Sequence, residues 1–547
     1  MKKMKRLFAV LLTLAMVLGM SITTFAAVNP VKITITGVDA ESTVTYEQII
    51  EPSQGEPTGW AFTNAAAAAS FKAAIKSGEG NSEKTDQQII AGLIIHESAE
   101  SGAKLPAALQ ADAANITAEL LESAFSTETL TNTATFEGGN CVIPASSAGV
   151  YVIHAEDVKK TVDGKVTSWI KYNPMASYVS FGYTNGAATS LEEPEPAAAK
   201  SEEFTFSLTK EDNESDKVTA VGDVVQYTLK TSVPYIPETV TDTNEIFKIV
   251  DMIGGAQYVS NKITVENGLA PADMVLAGNK EGEGATVAVT VKLGNDGTPE
   301  DKTAQLIAVP DGKEGYTYAF ELNLSDIAAE RTNANELLEI TYKAYVTSTV
   351  IDNHAQTKVK TEAELEDGPG ADDKIYTGSL KLTKTNADAA GETLANAKFV
   401  LYYEKDNKTY YAVTKASGDA YEVTGWSETK PDETNDDVLL ITKDDGTFTV
   451  KGLEDDDDRA YKFEEVVAPE GYSLNAEPVG ITSWKDGKRN DAATAQDRLG
   501  EAQISDTKLS ALPSTGGIGT TIFTIAGCLI MIAAAGLFFV SRRKTEK

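Results

Sequence analysis

Through most of residues 200–510, apolar and polar side chains alternate one by one. The pattern is carried by DVVQYTLKTSV (Asp223–Val233), IFKIVDMI (Ile246–Ile253), GYTYAFELNLS (Gly315–Ser325) and LLEITYKAYVTSTV (Leu337–Val350). It recurs in SLKLTKTN (Ser379–Asn386), AKFVLYY (Ala397–Tyr403), GTFTVKGL (Gly446–Leu453) and AYKFEEVV (Ala460–Val467). A strand sends successive side chains to opposite faces, so a period of two predicts strands with one buried face. Short strands at this spacing, separated by turn residues, predict antiparallel β-sandwiches. The chain before residue 200 is mixed. NAAAAASFKAAIK (Asn64–Lys76) and LPAALQADAANITAELLESAF (Leu105–Phe125) predict helices inserted among strands such as NPVKITITGV and GVYVIHA.

Two changes of composition divide this pattern. SLEEPEPAAAKSEE (Ser190–Glu203) is rich in Pro, Ala and Glu and reads as a linker. LEDGPGADDKIYTGS (Leu365–Ser379) reads as a second boundary. The length suits roughly three domains, expected at residues 27–195, 200–370 and 375–510. The fold class is mainly β: tandem Ig-like sandwiches, with inserted helices in the N-terminal domain.

The two ends set the compartment. Lys2, Lys3, Lys5 and Arg6 precede the apolar run Leu7–Met20, and the small residues Thr24 and Ala26 follow. That is the layout of a secretory signal peptide, with cleavage expected after Ala26. Near the other end, residues 518–540 carry no charge and are long enough to span a bilayer. The basic tail 541–547 follows, with Arg542, Arg543 and Lys544, and is expected in the cytoplasm. Just before the span stands LPSTGG. Leu512, Pro513, Thr515 and Gly516 fit the LPXTG sorting signal of Gram-positive surface proteins, and motif, span and basic tail together resemble the complete signal. The resemblance implies that a sortase cuts between Thr515 and Gly516 and passes the Thr515 carbonyl to an amine.

Charge and cysteine count narrow the function. There are 81 Asp and Glu against 48 Lys and Arg, a formal net charge of −33, which excludes a general affinity for nucleic acid or anionic membranes. Of two cysteines, Cys528 lies in the apolar span and only Cys141 in the expected mature chain, so no internal disulfide is expected. An extracellular chain that bears load then needs another source of toughness. His96, His154 and His354 are far apart and lack metal-ligand spacing. No phosphate loop and no Ser/His/Asp constellation stands out, so neither metal, cofactor nor enzymatic turnover is expected.

One strand poses a chemical question. YKFEEVVAPEGY (Tyr461–Tyr472) reads as a strand ending in a turn, yet Glu464 and Glu465 sit side by side within it. Alternation puts one of the two on the core face, where a carboxylate is costly unless it is paired, neutral or useful.

GSLKLTKTNADAAGETLANAKFVLYY, DDGTFTVKGL and YKFEEVVAPEGY together resemble the Cna B-type domains of Gram-positive surface proteins. Tyr461–Tyr472 is similar to the pilin E-box, whose glutamate is Glu465 here. The whole chain resembles a sortase-assembled major, or backbone, pilin. That resemblance implies that Glu465 promotes a spontaneous amide (isopeptide) bond between a lysine and an Asn or Asp side chain. Burial suits such chemistry. It favours the neutral, nucleophilic amine and a neutral carboxyl that shuttles protons, while the fold holds amine and carbonyl in contact.

Carried over residue by residue, the third-domain lysine is Lys384 in LTKTN. Its acceptor is Asp506 in QISDTKL, where the family usually has Asn; with Asp the bond forms by loss of water. In the middle domain the resemblance assigns Lys210 in FSLTKED, the assisting Asp251 in FKIVDMIGG and the acceptor Asn353 in VIDNHAQTKV. The first domain offers no matching lysine. SWIKYNPMASYVSFGY (Ser168–Tyr183) resembles the late strands of pilin N-terminal domains. The Tyr-Pro-Lys-Asn sequence that carries the polymerising lysine in the family is absent. Lys200 occupies the equivalent place, and Lys171 in IKYNP is the alternative.

These readings converge on an expected pilus shaft subunit, joined between Thr515 and a lysine of the next copy. The expected partners are pilin-class and housekeeping sortases, neighbouring pilin subunits and peptidoglycan. No nucleic-acid partner is expected, and the sequence names no host ligand. The alternative is a monomeric wall-anchored adhesin or minor pilin, which keeps the sorting signal and needs no acceptor lysine.

Overall fold

A computed structural model describes residues 29–97, 105, 107–126, 129–184, 187–214, 217–237, 240, 245–266, 268–278, 285–360, 364–454, 459–481, 483–484, 499–509 and 519–543. The expected signal peptide and Leu512, Pro513, Thr515 and Gly516 lie outside the described residues. The fold is mainly β, in tandem sandwiches with helices near the N-terminus.

In the first third, Val31–Thr36 and Asn140–Ala145 pair antiparallel. A second sheet runs through Val44–Pro52, Gly149–Ala155 and Met175–Thr184. The helix expected over Asn64–Lys76 forms as Ala66–Ser77, and Ala67, Ala68, Phe71 and Ile75 mark its buried stripe. The single helix expected over Leu105–Phe125 is instead two, Ala107–Ala111 and Ala118–Phe125. Thr117 explains the restart: its side chain accepts a hydrogen bond from the Leu120 N–H and caps the second helix. A further helix, Asp86–Glu97, buries Ile89, Ile90, Leu93 and Ile94.

The middle region stacks two sheets. Leu208–Asp212, Val224–Ser232, Leu337–Val346 and Thr286–Leu293 follow one another in the first. Tyr318–Asn323, Ile246–Gly254, Val350–Lys360 and the start of Glu366–Asn386 form the second. Strict alternation of buried and half-buried residues along Val350–Lys360 matches the period of two in its sequence.

The expected boundary at Leu365–Ser379 is largely occupied by the 21-residue strand Glu366–Asn386. Its first half pairs with Val350–Lys360. Its second half pairs antiparallel with Thr447–Leu453 and parallel with Leu499–Asp506. Pro369 does not break it, because the register shifts opposite Thr357, whose hydroxyl donates to the Pro369 carbonyl at 2.8 Å. Such a bulge is where a sheet accepts proline.

The two regions joined by this strand also share a buried seam. The Val221 N–H donates to the Gly452 carbonyl at 3.0 Å, and Trp426 Nε1 donates to the Val221 carbonyl at 3.0 Å. Gly452 has φ +94°, and a Cβ there would lie 3.0 Å from Val221 Cγ2, so conformation and closeness both require glycine. Beside it Arg459, 3% exposed, donates to Asp223 Oδ2 at 2.7 Å and pairs with Glu454. Residues 519–543 form one apolar helix; its segment Ile522–Arg542 contains an 18-residue window of mean hydropathy 2.5 and has the length to cross a membrane.

Candidate functional site

Alternation along Lys462–Val467 settles the paired glutamates. Glu464 points outward to Lys430 at 2.8 Å, while Phe463 and Glu465 are buried. Glu465 therefore reaches across the third-domain core from the strand paired with Lys398–Lys405. Opposite it, the parallel pairing sets Lys384 beside Ile504 and Asn386 beside Asp506. Residues two apart in a strand share a face, so Lys384 and Asp506 point into the same space. Lys384 Nζ lies 2.8 Å from Glu465 Oε1 and in hydrogen-bond contact with Asp506 Oδ1. All three side chains are inaccessible to solvent or nearly so, and Phe399 lies 5.6 Å beneath the amine. Glu465 Oε2 accepts the Asn475 N–H at 2.9 Å. Burial raises the Glu465 carboxyl above its ordinary range, against the opposing pull of Lys384. Among the described residues Asp506 Oδ2 has no hydrogen-bond partner, and the acceptor carboxyl is held there through Oδ1.

A second buried cluster spans the two middle sheets. Lys210, on the edge strand Leu208–Asp212, points inward from the position opposite Leu229. Asp251 lies opposite Ala355, two positions from Asn353 on the same face of the other sheet. Lys210 Nζ donates to Asp251 Oδ2 at 2.5 Å and to Asn353 Oδ1 at 2.6 Å. Burial lowers the Lys210 pKa, with the Asp251 charge opposing it. Each cluster thus brings a lysine and an assisting carboxyl to an acceptor, the Asp506 carboxyl in one and the Asn353 amide in the other, with the amine against the oxygen of the carbon it would attack.

Several residues here carry no motif. Tyr258 donates to Asp251 Oδ1 at 2.7 Å and Tyr342 to Asp251 Oδ2 at 2.8 Å. Asn353 Nδ2 donates to the Tyr342 hydroxyl at 2.9 Å. Tyr227 stacks on Tyr342 at 5.5 Å and lies 5.3 Å from the lysine amine. Burial holds all three phenols protonated, their pKa values well above the ordinary one. In sequence each occupies a core-facing strand position, which marks it only as apolar packing.

Lys200 does not sit in a free tether. Ala197 and Ala198 pair with Ile35 and Thr36, Ser201–Thr205 pairs with Ser168–Tyr172, and the Lys200 carbonyl accepts the Asn173 N–H at 3.0 Å. The run of Pro, Ala and Glu suggests a linker, but its backbone groups find partners on both neighbouring strands. Lys171 lies next door, opposite Glu202, with its amine 5.6 Å from the Tyr235 ring. Both lysines are half-buried.

Comparison with known proteins adds two family matches. The model of the prealbumin-like fold domain called SpaA matches residues 378–497, and that of the LPXTG cell wall anchor motif matches residues 504–547. The trypsin-resistant surface T6 protein of Streptococcus pyogenes serotype M6 is 26% identical over 410 residues, covering 66% of this chain and 71% of that protein. Among solved structures, the T6 backbone pilin of the same serotype aligns with 90% of this chain and 100% of that one, at 16% identity and a TM-score of 0.40. The full-length major pilin SpaD of Corynebacterium diphtheriae aligns with 88% of this chain and 98% of that one, at 15% identity and a TM-score of 0.36.

Proposed function

We propose that this chain is a secreted, cell-wall-anchored pilus protein of the Gram-positive type, and more narrowly a covalently polymerised shaft subunit toughened by two internal isopeptide bonds; the prealbumin-like match over residues 378–497 and the LPXTG anchor match over residues 504–547 support that reading. The observation that carries this reading is the pair of buried lysine–carboxyl clusters. A stability role alone is a poor reason to bury such groups, since desolvation offsets most of the attraction between them. Bond formation gives them a use. Lys384 would join Asp506 with loss of water, and Lys210 would join Asn353 with loss of ammonia. Glu465 and Asp251 would move the protons. Each site reacts once, so the protein is its own substrate and turns nothing over.

The positions of the bonds suit tension. In the proposed fibre a pilin-class sortase passes Thr515 of one copy to Lys200, or else Lys171, of the next. A housekeeping sortase transfers the last copy to peptidoglycan. Repeated head-to-tail joining of this kind does not close on itself and builds a filament. Load entering at residue 200 crosses from Lys210 to Asn353, follows the continuous strand Glu366–Asn386 to Lys384, and crosses to Asp506. Both bonds shunt force past the chain they enclose, which then stays folded under load. The N-terminal domain lies outside this path.

A denaturing gel of wall extracts tests the shaft role. A high-mass ladder that Lys200→Ala abolishes and Lys171→Ala preserves is the expected result. A single band from the unaltered chain would instead support a monomeric adhesin, and a normal ladder from Lys200→Ala would overturn the assignment of that lysine.

A further inference from the structure

Resting on the middle-domain bond just proposed, we propose that Tyr342 is a catalytic residue of its formation, carrying a proton from Asp251 to the departing nitrogen of Asn353. The hydrogen bonds lay out the path, and the two at the Tyr342 hydroxyl turn round once Asp251 has taken the lysine proton. Asn353 presents its two ends to different partners: Oδ1 accepts from Lys210 Nζ at 2.6 Å and Nδ2 donates to the Tyr342 hydroxyl at 2.9 Å. The same hydroxyl donates to Asp251 Oδ2 at 2.8 Å, and that one oxygen also faces Lys210 Nζ at 2.5 Å. A single carboxylate oxygen thus touches both the attacking amine and a phenol in hydrogen-bond contact with the leaving group. Asp251 does not touch Asn353 Nδ2 through any hydrogen bond of its own among those described. Without Tyr342 the proton has no such path.

The step balances. Lys210 begins as an ammonium and gives one proton to Asp251 Oδ2. The neutral Nζ attacks Asn353 Cγ, an N–C bond forms, and the carbonyl electron pair moves onto Oδ1. Tyr342 donates its hydroxyl proton to Nδ2 and is reprotonated from Asp251 Oδ2. Asp251 then takes the second proton from Nζ. The C–Nδ2 bond breaks, Oδ1 returns to a carbonyl and ammonia leaves. The site ends with one amide N–H, a protonated Asp251 and an unchanged Tyr342, with no co-reactant. A cavity of about 340 Å³ lined by Asn353, Tyr316, Asp352 and Asp373 adjoins the site and offers the ammonia a way out.

Tyr258 is the internal control, because it bonds the other oxygen of Asp251, Oδ1, at 2.7 Å. A role in merely fixing Asp251 belongs to both phenols, whereas a relay to Nδ2 belongs to Tyr342 alone. The experiment follows the full secreted ectodomain by intact mass and peptide mapping at timed intervals after synthesis. It compares the unaltered chain with Tyr342→Phe and Tyr258→Phe, with Lys384–Asp506 as the folded reference. Removing one general acid from a proton transfer costs about 100-fold in rate or more. Loss of ammonia slowed about 100-fold or more in Tyr342→Phe, a clearly smaller slowing in Tyr258→Phe and an intact third-domain bond in both is the expected result. Equal rates in Tyr342→Phe and the unaltered chain would overturn the relay, as would equal impairment of the two variants. No loss of ammonia in the unaltered chain would overturn the bond itself and the relay with it. Should Tyr342→Phe fail to fold, fluorotyrosine at position 342 changes phenol acidity with little change in shape. A shifted rate then supports the relay, and an unshifted one overturns it.

Discussion

Glu465→Gln separates chemistry from packing in the third domain. The substitution keeps the size of the side chain and its Oε1, while an amide takes up no proton at the pH of folding. Lys384 and Asp506 remain in contact as an ion pair, so the core keeps its charge balance and loses only the covalent link. That link closes a loop of 122 positions. The chain-entropy relation for a cross-link of that span gives about 5 kcal/mol at 25 °C, taking the amide to restrict the unfolded chain as a disulfide does. For a domain of this size the loss corresponds to a fall of about 15–25 °C in its melting temperature. Calorimetry of the ectodomain, with intact mass on the same samples, reads both quantities. A Glu465→Gln chain that is still lighter by one water would refute Glu465 as the promoter. An unlinked chain that melts with the unaltered one would refute the link as a source of stability.

Two further predictions concern buried charge. Arg459→Ala strands Asp223, itself 3% exposed, without its cation, and removing one partner of a buried pair costs about 3–5 kcal/mol. Denaturant midpoints are expected to show that loss, and Arg459→Met with Asp223→Leu is expected to recover most of it. Asp212 is pushed up to about 7, first by burial and then by its hydrogen bond to Asp373, against the pull of Lys217. The folded state therefore holds a proton that the unfolded chain releases nearer pH 4, and stability falls as pH rises from about 4 to about 7, by up to about 2–4 kcal/mol. Melting curves across that window should show the fall in the unaltered chain and a flatter profile in Asp212→Asn; an identical slope in both would sink it.

Much of the fold is legible because it follows a period of two. The strands near Asp223, Leu337 and Lys462 alternate in sequence as they do in burial, whereas Ile246–Gly254 alternates in sequence but is buried on both faces from Ile249 on. The helix Asp86–Glu97 was not legible, since IIAGLII is apolar on every side and leaves no stripe to read. The boundary at Leu365–Ser379 misleads for a different reason: Gly and Pro there shape a bulge inside a strand, which the partner Thr357 specifies from a distance. Lys384, Glu465 and Asp506 were legible through family resemblance, and Glu465 also through a charge on a core face. Tyr258 and Tyr342 stayed hidden because a buried tyrosine in a strand looks like packing until its hydroxyl has a partner.

Peptide mapping of the secreted ectodomain tests the two internal bonds most directly. Trypsin needs a free lysine side chain, so cleavage after Lys210 and Lys384 is expected to be absent. Two branched peptides are expected in its place: one joining Lys210 to Asn353 and lighter by one ammonia, the other joining Lys384 to Asp506 and lighter by one water. Ordinary linear peptides ending at Lys210 and Lys384, from a chain whose intact mass equals the sum of its residues, would contradict both bonds.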